Sequence, residues 1–224
     1  MLRTYSWLGD GIATAHFSPF LADNEWTATY RRMQSGWMGE GVDPRWRMWI
    51  LTSCAKQAEH LDGAFAEFGT YRAGCAYMAL SATERTSMWL YDTFEGIPET
   101  NLTATEEMHG FAGRLGDTSV EHVSAFLAPW ADRIRIVAGD VFDTVPAYDP
   151  GAISLAHMDL NASAPTAHVL PFCYERLVQG GLLLFDDYGW AGYEDQRAII
   201  DEFFRLHAEH LIALPTGQAL VVKH

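Results

Sequence analysis

Basic residues are scarce: 15 lysines and arginines face 29 aspartates and glutamates, a formal net charge of −14 with a sequence pI near 4.9. Such a chain repels a phosphate backbone, so nucleic acid is not an expected partner. Cysteine is scarcer still. Cys54, Cys75 and Cys173 are widely spaced and form no C-x-x-C pair, so they indicate neither a disulfide framework nor a zinc site and read as small core hydrophobes. No stretch reaches the ~20 apolar residues of a membrane span, and the opening MLRTYSWLGDG has no apolar run of signal length. A soluble, cytoplasmic protein with no membrane partner is expected. The 9 histidines show no H-x-x-x-H spacing of the kind that holds a metal on a helix.

What is present is enough for one good core: 224 residues with a hydrophobic share of 49%. The tryptophans divide the chain. Of 8 in all, Trp7, Trp26, Trp37, Trp46 and Trp49 fall within residues 1 to 62, which read as an N-terminal helical annex to a main domain over 63 to 224. Asp23 or Asn24 can cap a helix carrying Trp26, Tyr30 and Met33 that stops at the glycine-bearing segment Gly36 to Gly41. Asp43 before Pro44 predicts a second helix start, and Trp46, Ile50, Cys54, Ala58 and Leu61 then form one apolar stripe.

From residue 63 the pattern alternates strand and helix. GAFAEFGTYRAG, Gly63 to Gly74, reads as a buried strand (Ala64 to Phe68), a turn at Gly69 and a helix opening near Gly74. In a doubly wound sheet that turn is the floor of a cofactor crevice, because backbone N–H groups point there. The nicotinamide fingerprint G-x-G-x-x-G is missing, which disfavours a dehydrogenase. Glu67-x-Gly69 instead matches the looser loop of S-adenosylmethionine-binding folds. A second strand, Ser87 to Thr93, carries Asp92 roughly 20 positions past Gly69, where an acid accepts hydrogen bonds from a ribose. The alternative is an aspartate that caps the following turn. Phe94 to Asp117 is long, polar and aperiodic, hence disordered or a lid. Thr118 to Leu127 is helical, and Arg133 to Ala138 is a third strand closed by Gly139 and Asp140, where an adenine edge can meet a carboxylate. Ile153 to Leu160 is a fourth strand, followed by a helix that is either kinked at Pro171 or starts there and is ended by Gly180-Gly181. LLLFDDYG is a fifth strand, Gln196 to Leu206 a last helix with Ile199, Ile200, Phe203 and Leu206 on one face, and LIALP with ALVVK a closing hairpin. The expected fold is α/β: a Rossmann-like, seven-stranded, mostly parallel sheet with an antiparallel C-terminal hairpin.

Asp159, Asp186 and Asp187 all fall at carboxyl ends of strands, the edge at which open α/β sheets hold ligands. Three converging carboxylates need compensation: a divalent cation, protonation of one group, or a donor such as Arg72, His157 or Tyr188. All-oxygen ligands favour magnesium or calcium. The aspartates can also serve merely as helix caps and solvated groups. His157 is either a general base or a satisfied, half-buried histidine.

LYDTFEGIPET (Leu90 to Thr100), AGDVFDTVP (Ala138 to Pro146), HMDLNASAPT (His157 to Thr166), ERLVQGGLLLFDDYGW (Glu175 to Trp190) and LPTGQALVVK (Leu214 to Lys223) together resemble the macrocin O-methyltransferase family, class I S-adenosylmethionine-dependent enzymes that methylate sugar hydroxyls in antibiotic biosynthesis. The resemblance implies a cofactor site around Glu67, Gly69, Asp92, Asp140 and Val141, with Thr70, Tyr71, Gly74, Thr93 and Asp159 beside it. It also implies magnesium on Asp159, Asp186 and Asp187, with Asp159 as a base. The acceptor is then a hydroxylated small molecule, the segment Phe94 to Asp117 a lid, and a homo-oligomer an open alternative. Members commonly read D-x-D and then L-Y-E, where this chain has Asn161 and Ser163; Cys75 also replaces a common serine or glycine. A cofactor-binding partner protein without transfer activity is the alternative reading.

Overall fold

The computed structural model describes residues 5–37, with only the backbone of Trp37, and 43–224. It begins with a two-stranded hairpin, β1 (Trp7–Gly9) and β2 (Ile12–Thr14), turned by Asp10 and Gly11 at positive φ. The annex is therefore not wholly helical, because the Asp-Gly pair at positive φ favours a tight hairpin over a helix. Helix α1 (Asn24–Trp37) is capped by Asp23, whose Oδ1 accepts from the Trp26 N–H at 2.8 Å. The expected glycine-bearing stop beyond Gly36 and the Trp37 side chain lie outside the described residues. Helix α2 (Arg45–Ala58) starts one residue later than expected. Pro44 occupies the cap position, and Asp43 does not cap: its carboxylate takes the Tyr30 hydroxyl and the Arg45 guanidinium, both at 3.0 Å.

The main domain follows as β3 (Ala64–Phe68), α3 (Gly74–Ser81), β4 (Met88–Asp92), α4 (Ala104–Met108), α5 (Val120–Phe126), β5 (Ile134–Ala138), α6 (Val141–Ala147), β6 (Ile153–Met158), α7 (Ser163–Arg176), β7 (Leu177–Phe185), α8 (Glu194–Arg205), β8 (Ile212–Ala213) and β9 (Ala219–Val222). The strands form one sheet in the order β5-β4-β3-β6-β7-β9-β8, parallel except for the antiparallel β7·β9 and β9·β8 pairs. Side chains alternate across it, as period two requires. Phe65, Leu90, Leu155 and Leu184 face α1, α2, α3 and α5 together with Trp7 and Phe20. Ala66, Phe68, Tyr91, Ala156, Met158 and Phe185 face α6, α7 and α8. The annex thus shares a core with the sheet. Phe20 is its hub, with ring centroids of Trp7, Trp46 and Trp26 at 5.0, 5.2 and 5.8 Å.

Several local expectations need correcting. Helix α7 begins at Ser163 and runs through Pro171, whose missing N–H costs one helical bond that tertiary packing of Val169, Leu170 and Cys173 offsets. Gly180-Gly181 does not end it. The pair lies inside β7, where the register against β6 shifts between Ile153 and Leu155 and Gly180 sits at φ 78°, a bulge conformation suited to glycine. Helix α6 has no counterpart in the sequence reading, being a single short segment with Pro146 inside it. On α8 the buried face is Gln196, Ile200 and Phe204, while Leu206 is exposed because the helix ends before it. Residues 94–117 are ordered: Thr103 and Glu106 form a reciprocal capping box at the start of α4. Among the described residues no helix is long and apolar enough to cross a membrane.

Candidate active site

Where the parallel strands end, a cavity of about 310 Å³ opens between two unlike walls. One wall is the loop after β3. Gly69 sits at φ 90°, and a Cβ there would fall 1.9 Å from the Asp159 carbonyl oxygen, so the loop passes β6 only because this residue is glycine. Tyr71 and Ala73 also take positive φ, curling the chain so that N–H groups of Thr70 and Tyr71 both donate to Asp92 Oδ2 at 2.7 Å. The Phe94 N–H donates to Asp92 Oδ1, also at 2.7 Å. Asp92 therefore ties the glycine loop to the turn after β4 while lining the cavity. Gly69, Thr70, Tyr71, Thr93, Asp140 and Val141 line the same wall. Asp140 caps α6 through the Phe142 N–H at 3.1 Å and accepts from Asn101 Nδ2 at 2.7 Å. Glu67 and Gly74, expected at the cofactor, do not reach the cavity. Gly74 is buried as the first residue of α3, and Glu67 points behind the loop.

The other wall is acidic. Carboxylate oxygens of Asp159, Asp186 and Asp187 lie within 4.8 Å of one another. Asp186 is well satisfied: Oδ2 accepts from Arg47 Nη1 at 2.6 Å and Oδ1 from Gln218 Nε2 at 2.8 Å, with His157 Nε2 at 3.6 Å. Arg47 is held in turn by Asp10, at 2.8 and 3.2 Å, and lies 5.1 Å over the Trp190 ring. Burial works to raise the Asp186 pKa, but Arg47 and His157 outweigh it and hold the carboxyl below the ordinary range. Burial likewise opposes charge on His157, and the neighbouring Asp186 and Glu67 carboxylates overcome it, raising the pKa to about 10. Asp159 and Asp187 have no such cations to themselves. Desolvation pushes both upward, repulsion from Asp186 adds to it in each, and Asp159 raises Asp187 further. Asp187 Oδ2 is buried without a hydrogen-bond partner among the described residues.

His157 does not line the cavity. It is 1% exposed, with Nδ1 3.3 Å from Glu67 Oε2, so it cannot meet a substrate proton and acts on the site only by positioning Asp186. Of the compensating donors named from sequence, Arg72 pairs with Asp117 and the Tyr188 hydroxyl with Asp201, leaving only His157 in place. Sequence reasoning missed Arg47 and Gln218. A signal existed for the first: Arg47 falls in line with Leu51, Ala55 and Ala58, a charge on the buried stripe of α2. Asn161, at φ 56°, donates from Nδ2 to Asp159 Oδ1 at 2.8 Å and accepts the Tyr193 hydroxyl at 2.8 Å. An aspartate there would repel Asp159, so the amide orients it instead.

A parallel sheet with an antiparallel end, a glycine turn after β3 and an acid at the tip of the next strand is the architecture of the class I S-adenosylmethionine-dependent methyltransferases. The chain belongs to the macrocin-O-methyltransferase (TylF) family, whose model matches residues 26–215, and is an S-adenosylmethionine-dependent O-methyltransferase. It is 25% identical over 180 residues to the mycinamicin III 3''-O-methyltransferase of Micromonospora griseorubida, covering 70% of each chain. It is 26% identical over 144 residues, 58% of this chain and 55% of the other, to the 8-demethyl-8-(2,3-dimethoxy-alpha-L-rhamnosyl)-tetracenomycin-C 4'-O-methyltransferase of Streptomyces olivaceus. The same fold is found in the O-methyltransferase NovP, with a TM-score of 0.71, 20% identity and 79% of both chains covered. The calicheamicin methyltransferase CalS11 shares it at a TM-score of 0.67 and 19% identity, covering 92% of this chain and 94% of that one.

Proposed function

We propose that this enzyme methylates a hydroxyl on a sugar moiety of a secondary metabolite in the cytoplasm, with a magnesium ion held by Asp159, Asp186 and Asp187. The observation that carries the reading is the acidic wall itself, facing the cofactor wall across one cavity and ending in a buried, unpartnered Asp187 oxygen. The donor set is all oxygen and carries excess negative charge, the chemistry that fits a hard divalent cation. Bound there, magnesium would polarise an acceptor hydroxyl and lower its pKa.

The chain's own residues supply the rest. Asp92 Oδ1 takes one N–H, from Phe94, and so keeps a lone pair for a ribose hydroxyl, Asp140 and the Val141 N–H take the adenine edge, and the Gly69–Tyr71 loop lies against the methionyl part. Asp159, which lines the cavity, accepts the hydroxyl proton as the new O–CH₃ bond forms and the S–CH₃ bond breaks, leaving a methyl ether and S-adenosylhomocysteine. Trp190 and Tyr193 offer flat amphipathic faces to a sugar ring. The lid, residues 94–117, excludes water while oxygen and methyl are aligned. Incubation with labelled S-adenosylmethionine and a panel of glycosides tests this. A methyl ether that forms on a deoxysugar glycoside, disappears with EDTA and returns with magnesium is the expected result; turnover indifferent to chelation would remove the metal from the account.

A further inference from the structure

We infer that Asn101, on the lid, reads the six-amino group of the cofactor's adenine together with Asp140. The inference rests on the placement of adenine beside Asp140 and Val141 proposed above. Asn101 ends a short 3-10 turn, Glu99–Asn101, anchored by its N–H on the Pro98 carbonyl at 3.0 Å, and its side chain lines the cavity. Its Nδ2 donates to Asp140 Oδ2 at 2.7 Å, while Asp140 Oδ1 is engaged by the Phe142 N–H.

A carboxylate only accepts, so Asp140 dictates which way the Asn101 amide is turned. With Nδ2 committed to Asp140, the amide presents Oδ1 as an acceptor, and that atom's partner among the described residues is the Thr100 hydroxyl at 3.5 Å, the outer limit of a hydrogen bond. At the start of α6 the Val141 N–H has no acceptor among the described residues. The wall therefore shows two acceptors, Asp140 and Asn101 Oδ1, next to one donor, Val141 N–H. Adenine shows the complement: two hydrogens on its six-amino nitrogen and a lone pair on N1. Hypoxanthine inverts both, with a six-oxo acceptor and an N1 hydrogen, and so meets like with like. Because Asn101 belongs to the lid and Asp140 to the sheet edge, recognition of the base also pins the lid across the cofactor.

The test is calorimetry on the full chain with S-adenosylhomocysteine and its deaminated analogue S-inosylhomocysteine, in the wild type, Asn101→Ala, Asn101→Leu and Asp140→Asn. The wild type should prefer the adenosyl compound by at least about a hundredfold, and each Asn101 variant should narrow that ratio by about tenfold, chiefly through weaker adenosyl binding. Asp140→Asn should narrow it as well, because the Asn101 amide is then free to turn over. Equal weakening of both ligands in the Asn101 variants would mean that the residue only latches the lid, and overturns the inference. A narrowed ratio in Asp140→Asn alone likewise removes Asn101 while leaving the adenine placement standing. Unchanged adenosyl affinity in Asp140→Asn would instead show that the base lies elsewhere, and the placement itself falls. The leucine variant keeps the side-chain volume should the alanine variant fold poorly.

Discussion

The two walls of the cavity balance their charges in opposite ways. On the cofactor wall the carboxylates are held mainly by backbone N–H groups, Asp92 by those of Thr70, Tyr71 and Phe94, and Asp140 by that of Phe142 together with the Asn101 side chain. On the acidic wall the balancing groups are side chains from remote parts of the chain, Arg47 from the annex, His157 from β6 and Gln218 from the last hairpin, and all three serve Asp186. The first wall is complete once the sheet has folded. The second leaves Asp159 and Asp187 crowded and one Asp187 oxygen without a partner among the described residues, a state that a bound cation would complete.

The largest effect expected from this difference is on turnover. Asp187→Asn keeps the shape but removes a charge from the cation site, so single-turnover methyl transfer should fall by roughly a hundredfold or more, with part of it restored by high magnesium. Cofactor affinity should hardly change, and a rate within about threefold of wild type would erase the distinction between the walls. Next is stability. Arg47→Met leaves Asp186 buried without its guanidinium, and denaturant unfolding of the metal-free protein should show a loss of about 3 kcal/mol, the lower range for breaking a buried pair. A neutral substitution would mean the annex does not hold the acidic wall. On the other wall, Asp92→Ala should lower S-adenosylhomocysteine affinity by about 1.5 to 3 kcal/mol in calorimetry, since hydrogen bonds to a charged group are lost. Unaltered binding would remove Asp92 from the ribose. The smallest effect concerns the lid: saturating cofactor should slow proteolysis between Phe94 and Asp117 by about threefold to tenfold. Equal cleavage with and without cofactor would leave that segment merely structural.

The same contrast decides what was legible in the sequence. The loop after β3, the acid at the tip of β4 and the three aspartates at strand ends are each encoded within a few neighbouring residues, so spacing located them. The β3 strand was read with its observed ends because five buried residues lie between two glycines. Arg47 was not read as part of the site, since its partner stands 139 positions away and only the fold brings them together. Asp140 concealed α6: its carboxylate marks a helix start, but seven residues with an internal proline give no periodicity to see. His157 looked like a base because period two places it in line with Asp159, yet the strand ends between them. One side chain enters the cavity and the other is sealed between β3 and α3. Glu67 was placed at the cofactor by its Glu-x-Gly spacing to the loop, but it stands opposite the buried His157 in the β3·β6 register and does not line the cavity.

In the reading proposed above, the acidic wall is a cation site independent of the cofactor wall. Titration of magnesium into protein saturated with S-adenosylhomocysteine, followed by calorimetry, tests it without knowledge of the acceptor. Saturable binding at one site per chain, abolished in Asp159→Asn and Asp187→Asn while S-adenosylhomocysteine still binds to both variants with wild-type affinity, is the predicted result. Absence of saturable binding, or binding that both variants retain unchanged, would contradict it.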